Sequence, residues 1–453
     1  MGDLLHRCEL KTALVYFTGF SRQIGGSEAL VFLLLRELQT RYDVTLALQH
    51  TWLDPFAAAE MYGLPIDRSR INVVLLDKAS GLLGKIDRHM KILWMRRLRK
   101  MGPKYDVCIS CANPVDFGCP GIHFVFMLSL DNAFRAFIWK EHPKGRDWLR
   151  DKMLRFRDEL ARVLAGARTA ASIVRDKREV VLPNSEYAKS CIEDYYRCKV
   201  HEAFYPPTLF EAKNCGIEGL KDCSIDRVEN CLIDRLKDCL IDEVEAKQSK
   251  NHQIEKSINQ SNQKIAKLNN RTIIQSNNLS IVSIGRLGPE KRPLEIVEIV
   301  RNARNRSGLD FKLRLVGHCS NAYLSKRLAE LTAENAWLRV DDAIVGDAKA
   351  ELLASCTFAL HACKVEAFGI SITEYLKAGL VPVVPREGGS SEVVGLDKLA
   401  FETDDDAAEI LIRLATETTF YDKCLKHCKE RGKVFTAEAY LGRQRRLLKV
   451  LKV

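Results

Sequence analysis

Residues 365–394 read VEAFGISITEYLKAGLVPVVPREGGSSEVV, and more of the architecture hangs on them than on any other stretch. ISITEYLKAG spaces its apolar residues for about three helical turns, with Gly379 as the stop. LVPVVP, at 380–385, is a continuous apolar run, the pattern of a strand buried on both faces. Helix followed by buried strand is the repeating unit of an α/β layer. Glu366 then stands in the loop before the helix and Glu374 within its first turns. In an open parallel sheet that loop lies beyond the carboxyl ends of the strands, where ligands bind.

The same alternation extends in both directions. Buried-strand runs occur at KTALVYFTG (11–19), YDVTLALQ, INVVLLD, YDVCISC and GIHFVFML, and SEALVFLLLRELQTR (27–41) reads as a helix. REVVLPNS (178–185) is a strand ending in a helix-start signal at Asn184-Ser185. After residue 207 the composition changes. NCGIEGLK DCSIDRVE NCLIDRLK DCLIDEVE (214–245) is four tandem octads with Cys215, Cys223, Cys231 and Cys239 in register, followed by a polar tract to residue 278. Eight residues advance a helix by about 12 Å, so the four thiols cannot converge on one metal from a single helix. The segment reads as an insertion, with partner docking as the sharper alternative. Strands resume at LSIVSIGRL (279–287), FKLRLVGH (311–318), TFALHA (357–362) and LVPVVP, and the chain closes on a basic helix. The expected organisation is an N-terminal domain over 1–207, the insertion over 208–278, a second α/β domain over 279–435 and a C-terminal helix over 436–453. A ligand cleft is expected between the domains.

The 453 residues are too many for one ordinary domain, and 46% hydrophobic with 28% charged content is that of a globular protein with two cores. No apolar run is long enough to span a bilayer, and the start has no signal-peptide pattern. The fifteen cysteines are therefore expected to be reduced thiols of a cytoplasmic protein. Cys108-x-x-Cys111 has no second pair or histidine cluster to complete a zinc site. The net charge of +11 suits phosphate-bearing ligands or an anionic membrane, and equally a solvated surface.

Carboxylates accept hydrogen bonds from hydroxyls, so Glu366 and Glu374 beside a helix start suit a polyhydroxylated ligand; a capping acid plus a surface acid explains the spacing alone equally well. The second stretch is IVSIGRLGPEKRP (281–293), an apolar strand ending at Gly285, with Arg286 and Lys291 around a tight turn. Two cations at a strand's carboxyl end suit a diphosphate leaving group.

Taken together, EAFGISITE, GRLGPEKRP and GGSSEVV resemble the E-x7-E motif, the strand–Gly-Arg–Lys turn and the glycine loop of family 4 glycosyltransferases, the glycosyl transferases group 1. The resemblance is strong over 279–395 and looser over 11–207, where GGSEAL (25–30) and VVLPNSEYAKSCI (180–192) fit; the insertion does not match. It implies the GT-B fold, two Rossmann-like domains facing a central cleft, and a retaining, metal-independent transfer from a UDP-, GDP- or ADP-linked sugar to a glycan or lipid-linked acceptor. By the same resemblance Arg286 and Lys291 hold the diphosphate beyond Gly285, and Glu374 takes the ribose hydroxyls. Glu366 takes the sugar hydroxyls, aided by the amides of Phe368, Gly369 and Ile370, and Gly25 and Gly26 admit the phosphates. The family's sugar-proximal histidine falls at Phe126, with His123 as a substitute or a plain strand histidine. No bound cofactor, metal or nucleic acid is expected, the sugar nucleotide being a co-substrate. A non-catalytic binding protein working through its insertion, or a sugar-nucleotide epimerase, remain the alternatives.

TGFSRQIGGSE lacks the G-x-G-x-x-G register of dinucleotide oxidoreductases. TDDDAAEI (403–410) precedes an apolar run and reads as a helix N-cap rather than a metal cluster. GKIDRHMKILWMRRLRKMGPK (84–104) mixes cations and apolar residues, which fits either peripheral contact with the inner face of a membrane or a helix packed on the sheet.

Overall fold

The computed structural model describes residues 10–20, 26–50, 52–77, 92–126, 128–140, 145–208 and 279–450. The octads, the polar tract after them, Gly25 and residues 84–91 lie outside these. Contacts divide the chain into two units: Met1–Leu209 with Val365–Ile370 and Phe435–Val453, and Phe210–Lys364 with Ser371–Val434.

The first unit is built on β1 (Lys11–Phe17), β2 (Tyr42–Leu48), β3 (Ile71–Leu75), β4 (Val107–Ser110), β5 (Ile122–Val125) and β6 (Val180–Pro183). All pair in parallel in the order β3-β2-β1-β4-β5-β6. Residues Ala13–Phe17 of β1 are all buried, as the unbroken apolar run requires of a strand covered on both faces. Helix Gly26–Leu38 follows β1, and its Glu37 binds Arg445 of the C-terminal helix Ala437–Val450 at 2.9 Å. Tyr440 of that helix sits in the same core, edge-on to Phe204.

The second unit repeats the plan with β7 (Ser280–Ile284), β8 (Lys312–Val316), β9 (Leu338–Asp341), β10 (Phe358–Leu360), β11 (Val381–Pro385) and β12 (Ala400–Phe401). Its order, β12-β11-β10-β7-β8-β9, is again parallel and is the same winding read from the other edge. Counted along the chain, each sheet runs third, second, first, fourth, fifth, sixth, the doubly wound Rossmann order. The direction of winding reverses between β1 and β4 in one sheet and between β7 and β10 in the other.

β5 stops at Val125, so the expected run through FVFML ends early. Two short strands, β9 and β12, have no clear signal in the sequence. The ten described cysteines are all free thiols. Cys108 and Cys111 are buried, and Cys108 Sγ lies 3.7 Å from Cys119 Sγ. Among the described residues no helix is long and apolar enough to cross a membrane.

Candidate active site

Because every strand of the second sheet is parallel, the segments after β7, β10 and β11 emerge at one edge. β7 and β10 are neighbours, so the reversal point of this sheet lies between the two segments that hold the site residues expected from the sequence.

After β7 the chain passes through Gly285, Arg286 and Leu287 into a 3-10 turn, Pro289–Lys291, and then the helix Pro293–Ser307. Gly285 N donates to Val316 O and Leu287 N to His318 O, which clamps this loop to the one after β8. The clamp is close: a Cβ on Gly317 would lie 1.8 Å from Gly285 O, so a side chain there is excluded by backbone. Arg286 extends outward with 70% of its side chain exposed and Glu290 only 3.8 Å away. Lys291 is half-buried, its amide bonded to Gly288 O. The next residue, Arg292, turns back to Asp404 at 2.8 Å. Asp404 begins a helix whose N-cap is Thr403, with Asp406 completing a capping box and Asp405 accepting from Asn302. The TDDD acids are thus each engaged in starting or fastening a helix, as their sequence position indicates.

After β10 comes the loop containing Glu366, then the helix Ile370–Lys377, eight residues rather than the expected three turns. It ends where Gly379 adopts φ 73, with Gly379 N donating to Leu376 O and Leu380 N to Tyr375 O. Within this helix the fully buried Tyr375 accepts from Ile284 N at 2.6 Å through its hydroxyl. That bond ties the helix to the last residue of β7. Burial pushes the Tyr375 phenol well above its usual range, so it stays a neutral hydrogen-bonding group. The helix that carries Glu374 is therefore fastened to the strand that leads into the Gly285–Lys291 loop. Glu374 is 5% exposed, and one carboxylate oxygen lies 2.5 Å from Lys349 Nζ, on helix Gly346–Ala354.

The structure thus gathers Gly285, Arg286, Lys291 and Glu374 at one edge of the second sheet and adds Lys349, which the sequence reading missed. DAKAELLA reads as an ordinary surface helix, and a partner 25 residues away leaves no mark on local spacing.

Glu366, Phe368, Gly369 and Ile370 fall in Val365–Ile370, which clusters with the first unit. Phe368 is 1% exposed, with Tyr205 and Phe435 as ring neighbours. Ala367 O accepts from Ser185 Oγ, and that same hydroxyl caps helix Glu186–Tyr196 by accepting from Ala188 N at 2.9 Å. Glu366 is half-buried. Ile370 packs on Gly26, where a Cβ would come within 2.4 Å of Ile370 Cδ1. Gly25 lies outside the described residues.

His123 has a different setting from a substrate-facing one. It is 0% exposed on β5, its Nε2 3.0 Å from Glu179 and its ring stacked on Phe117. Glu179 also binds Arg168 and accepts from Gly121 N, and Arg168 with Arg99 binds Asp116. Burial alone would raise the Glu179 pKa, but hydrogen bonds from His123 and Arg168 outweigh it and hold the carboxyl below its usual range. His123 as placed is a member of a buried ionic network, not a group at a surface.

Against known proteins, residues 264–434 match the family model described as glycosyl transferases group 1. No curated protein matches. Among solved structures, Anabaena Alr3699/HepE in complex with UDP-glucose is 14% identical with a TM-score of 0.58, covering 97% of this chain and 100% of its own. Sucrose-phosphate synthase from Thermosynechococcus elongatus gives 12% and 0.60, over 97% and 99%. WaaG, a glycosyltransferase involved in lipopolysaccharide biosynthesis, gives 12% and 0.59, over 94% and 98%. At such identities the likeness is one of fold. The chain has the GT-B fold, two Rossmann-like domains, and its residues 264–434 match the model of the glycosyl transferases group 1 family.

Proposed function

We propose that this protein is a retaining, metal-independent glycosyltransferase that moves a hexose from a nucleotide sugar to a glycan or glycolipid acceptor at the cytoplasmic side. One observation carries the reading: at the reversal point of a parallel sheet, the Tyr375–Ile284 bond fastens the helix that carries Glu374 to the strand whose following loop bears Arg286 and Lys291. Cations and a buried carboxylate on one sheet edge match the two ends of a nucleoside diphosphate, its charge and its ribose hydroxyls.

In this reaction the bond from the anomeric carbon to the diphosphate oxygen breaks, and its electron pair leaves with the diphosphate. Arg286 and Lys291 neutralise the charge that develops there, which is where electrostatic stabilisation lowers the barrier most. They supply what a divalent cation would otherwise supply. The acceptor hydroxyl attacks the oxocarbenium-like carbon from the same face, and its proton passes to the departing diphosphate oxygen. Glu366 holds the sugar hydroxyls and Glu374 the ribose, so their contribution is positioning. His123 has no part in this scheme and serves the first unit's stability.

Thermal stabilisation by a panel of UDP-, GDP- and ADP-sugars, read with release of free nucleoside diphosphate, tests the proposal. The solved complex of the fold neighbour HepE with UDP-glucose is the reason to begin with uridine donors. Stabilisation by one donor that disappears in Lys291→Ala and Glu374→Ala supports it. Absence of stabilisation by every donor and every free diphosphate overturns it. Glu366→Ala should abolish transfer while nucleotide binding persists, and an isomerised donor formed without acceptor would identify an epimerase instead.

A further inference from the structure

Helix Gly145–Ala165 of the first unit is amphipathic the wrong way round. Leu149, Met153, Phe156, Leu160 and Val163 recur at intervals of four and three, and at 100° per residue they fall within an arc of about 80°. Such a stripe ordinarily faces a core. Here the buried positions are Ala161 and Ala165, on the opposite side, while Leu149 is 54% exposed, Met153 65%, Phe156 72% and Val163 57%. Trp148, beside the stripe, is 47% exposed. An unbroken apolar row about 21 Å long is more than scattered surface hydrophobics explain.

The charges around the row select its occupant. On one flank stand Arg150 and Arg157, about 40–60° past the stripe edge, and on the other Lys152, about 20° past it. Lys152 lies with Nζ 4.1 Å over the Trp148 ring, the pose of a cation whose stem covers an apolar surface. Of the nearby described acids, Asp158 accepts from Asn132 and Arg157, and Glu159, exposed on the Lys152 flank, pairs with Arg162 of the same helix. Helix Ile92–Met101 packs at the carboxyl end, with Arg96 donating to Leu164 O and Arg99 to Ala165 O, and adds Lys100 to the exposed cations. A second copy of the chain laid on this face would bring like-charged rims together. An anionic bilayer meets both the row and its rim: apolar side chains enter the acyl boundary and the cations lie at headgroup level.

We infer that helix Gly145–Ala165 is a membrane-docking surface that lays its Leu149–Val163 row into an anionic bilayer interface. The stretch at 84–104, which the sequence leaves open between membrane contact and packing on the sheet, contributes here only through its described helix, as a support at the end of the row. The inference stands on this helix alone and does not depend on the sugar-transfer reading.

The test is flotation of the full chain with vesicles of phosphatidylcholine mixed with phosphatidylglycerol, and of phosphatidylcholine alone. Binding to the mixed vesicles, weaker to the neutral ones and reduced by salt, is expected. Phe156→Asp and Leu149→Asp should each lower the partition coefficient by about tenfold or more, the worth of one large side chain leaving water. Arg150→Gln with Lys152→Gln should lower it less. Both apolar positions are exposed, so unfolding temperature and nucleoside diphosphate binding should not change, which separates this result from failure of the active-site reading. No binding to the mixed vesicles, or binding lost with the charges but indifferent to Phe156→Asp, overturns the proposal. So does a dimer in light scattering that Phe156→Asp splits, which would assign the row to a second copy.

Discussion

Lys349 Nζ lies 2.5 Å from a carboxylate oxygen of Glu374, and the Glu374 side chain is only 6% exposed. A carboxylate removed from water to this degree is tolerable only with a partner. Lys349→Met should therefore destabilise the second unit by about 2–4 kcal/mol, while Lys349→Met with Glu374→Gln should cost far less than the sum of the singles. A double-mutant cycle by denaturant unfolding measures this, with a coupling of about 1–3 kcal/mol expected.

Arg286 is the better probe of ligand charge, because its exposed side chain supports little of the fold. Arg286→Ala should leave the unfolding temperature within error of the parent and raise the Kd for a nucleoside diphosphate about tenfold or more, the worth of one charge-assisted hydrogen bond. Titration calorimetry with the free diphosphate reads it. An unchanged Kd would remove Arg286 from the site.

Gly317 stands behind that loop. Gly317→Ala puts a Cβ 1.8 Å from Gly285 O, and backbone has nowhere to yield without moving Arg286. A loss of about 2–3 kcal/mol together with weakened diphosphate binding is expected. Gly26→Ala meets only the tip of the Ile370 side chain and should cost about 1 kcal/mol.

The buried network in the first unit has a pH signature. Glu179 is held below its ordinary 4.5 in the folded state. Its ionised form therefore stabilises the fold fully above about pH 4.5, and that contribution disappears as pH falls through the lower folded value. Glu179→Gln should flatten the acid limb of a plot of unfolding temperature against pH. His123→Asn should destabilise by about 2 kcal/mol, by taking one donor from a buried carboxylate, without altering diphosphate affinity.

Ser185 Oγ serves two masters, capping one helix and donating to Ala367 O. Ser185→Ala should lower stability by about 1–2 kcal/mol. Ser185→Thr, which keeps the hydroxyl, should recover much of it in the same unfolding assay.

Much of the fold was legible because parallel strands covered on both faces must be continuously apolar. KTALVYF, IVSI and VPVVP announce themselves, and Ser185 and Thr403 mark helix starts by chemistry confined to three residues. The α/β layering followed from alternation, and the two Rossmann-like domains from the resemblance. What stayed hidden depends on pairs far apart in sequence. Lys349 and Glu374 are 25 residues apart, and His123 and Glu179 are 56. Helix Gly145–Ala165 shows a different limit: periodicity reveals that a stripe exists but not whether a core lies beneath it. Leu149 through Val163 would be read as inward, and they point out.

The chain changes allegiance more often than its domain plan implies: Val365–Ile370 sits with the first unit although both its flanks sit with the second. Modular exchange is therefore constrained. A chimera that imports residues 279–434 from another enzyme as one block also imports a foreign six-residue strap into the host, where Ser185, Gly26 and Phe435 must accept it. Specificity grafts should keep Val365–Ile370 with the first unit's own sequence, or carry Gly26 and Ser185 along with the graft.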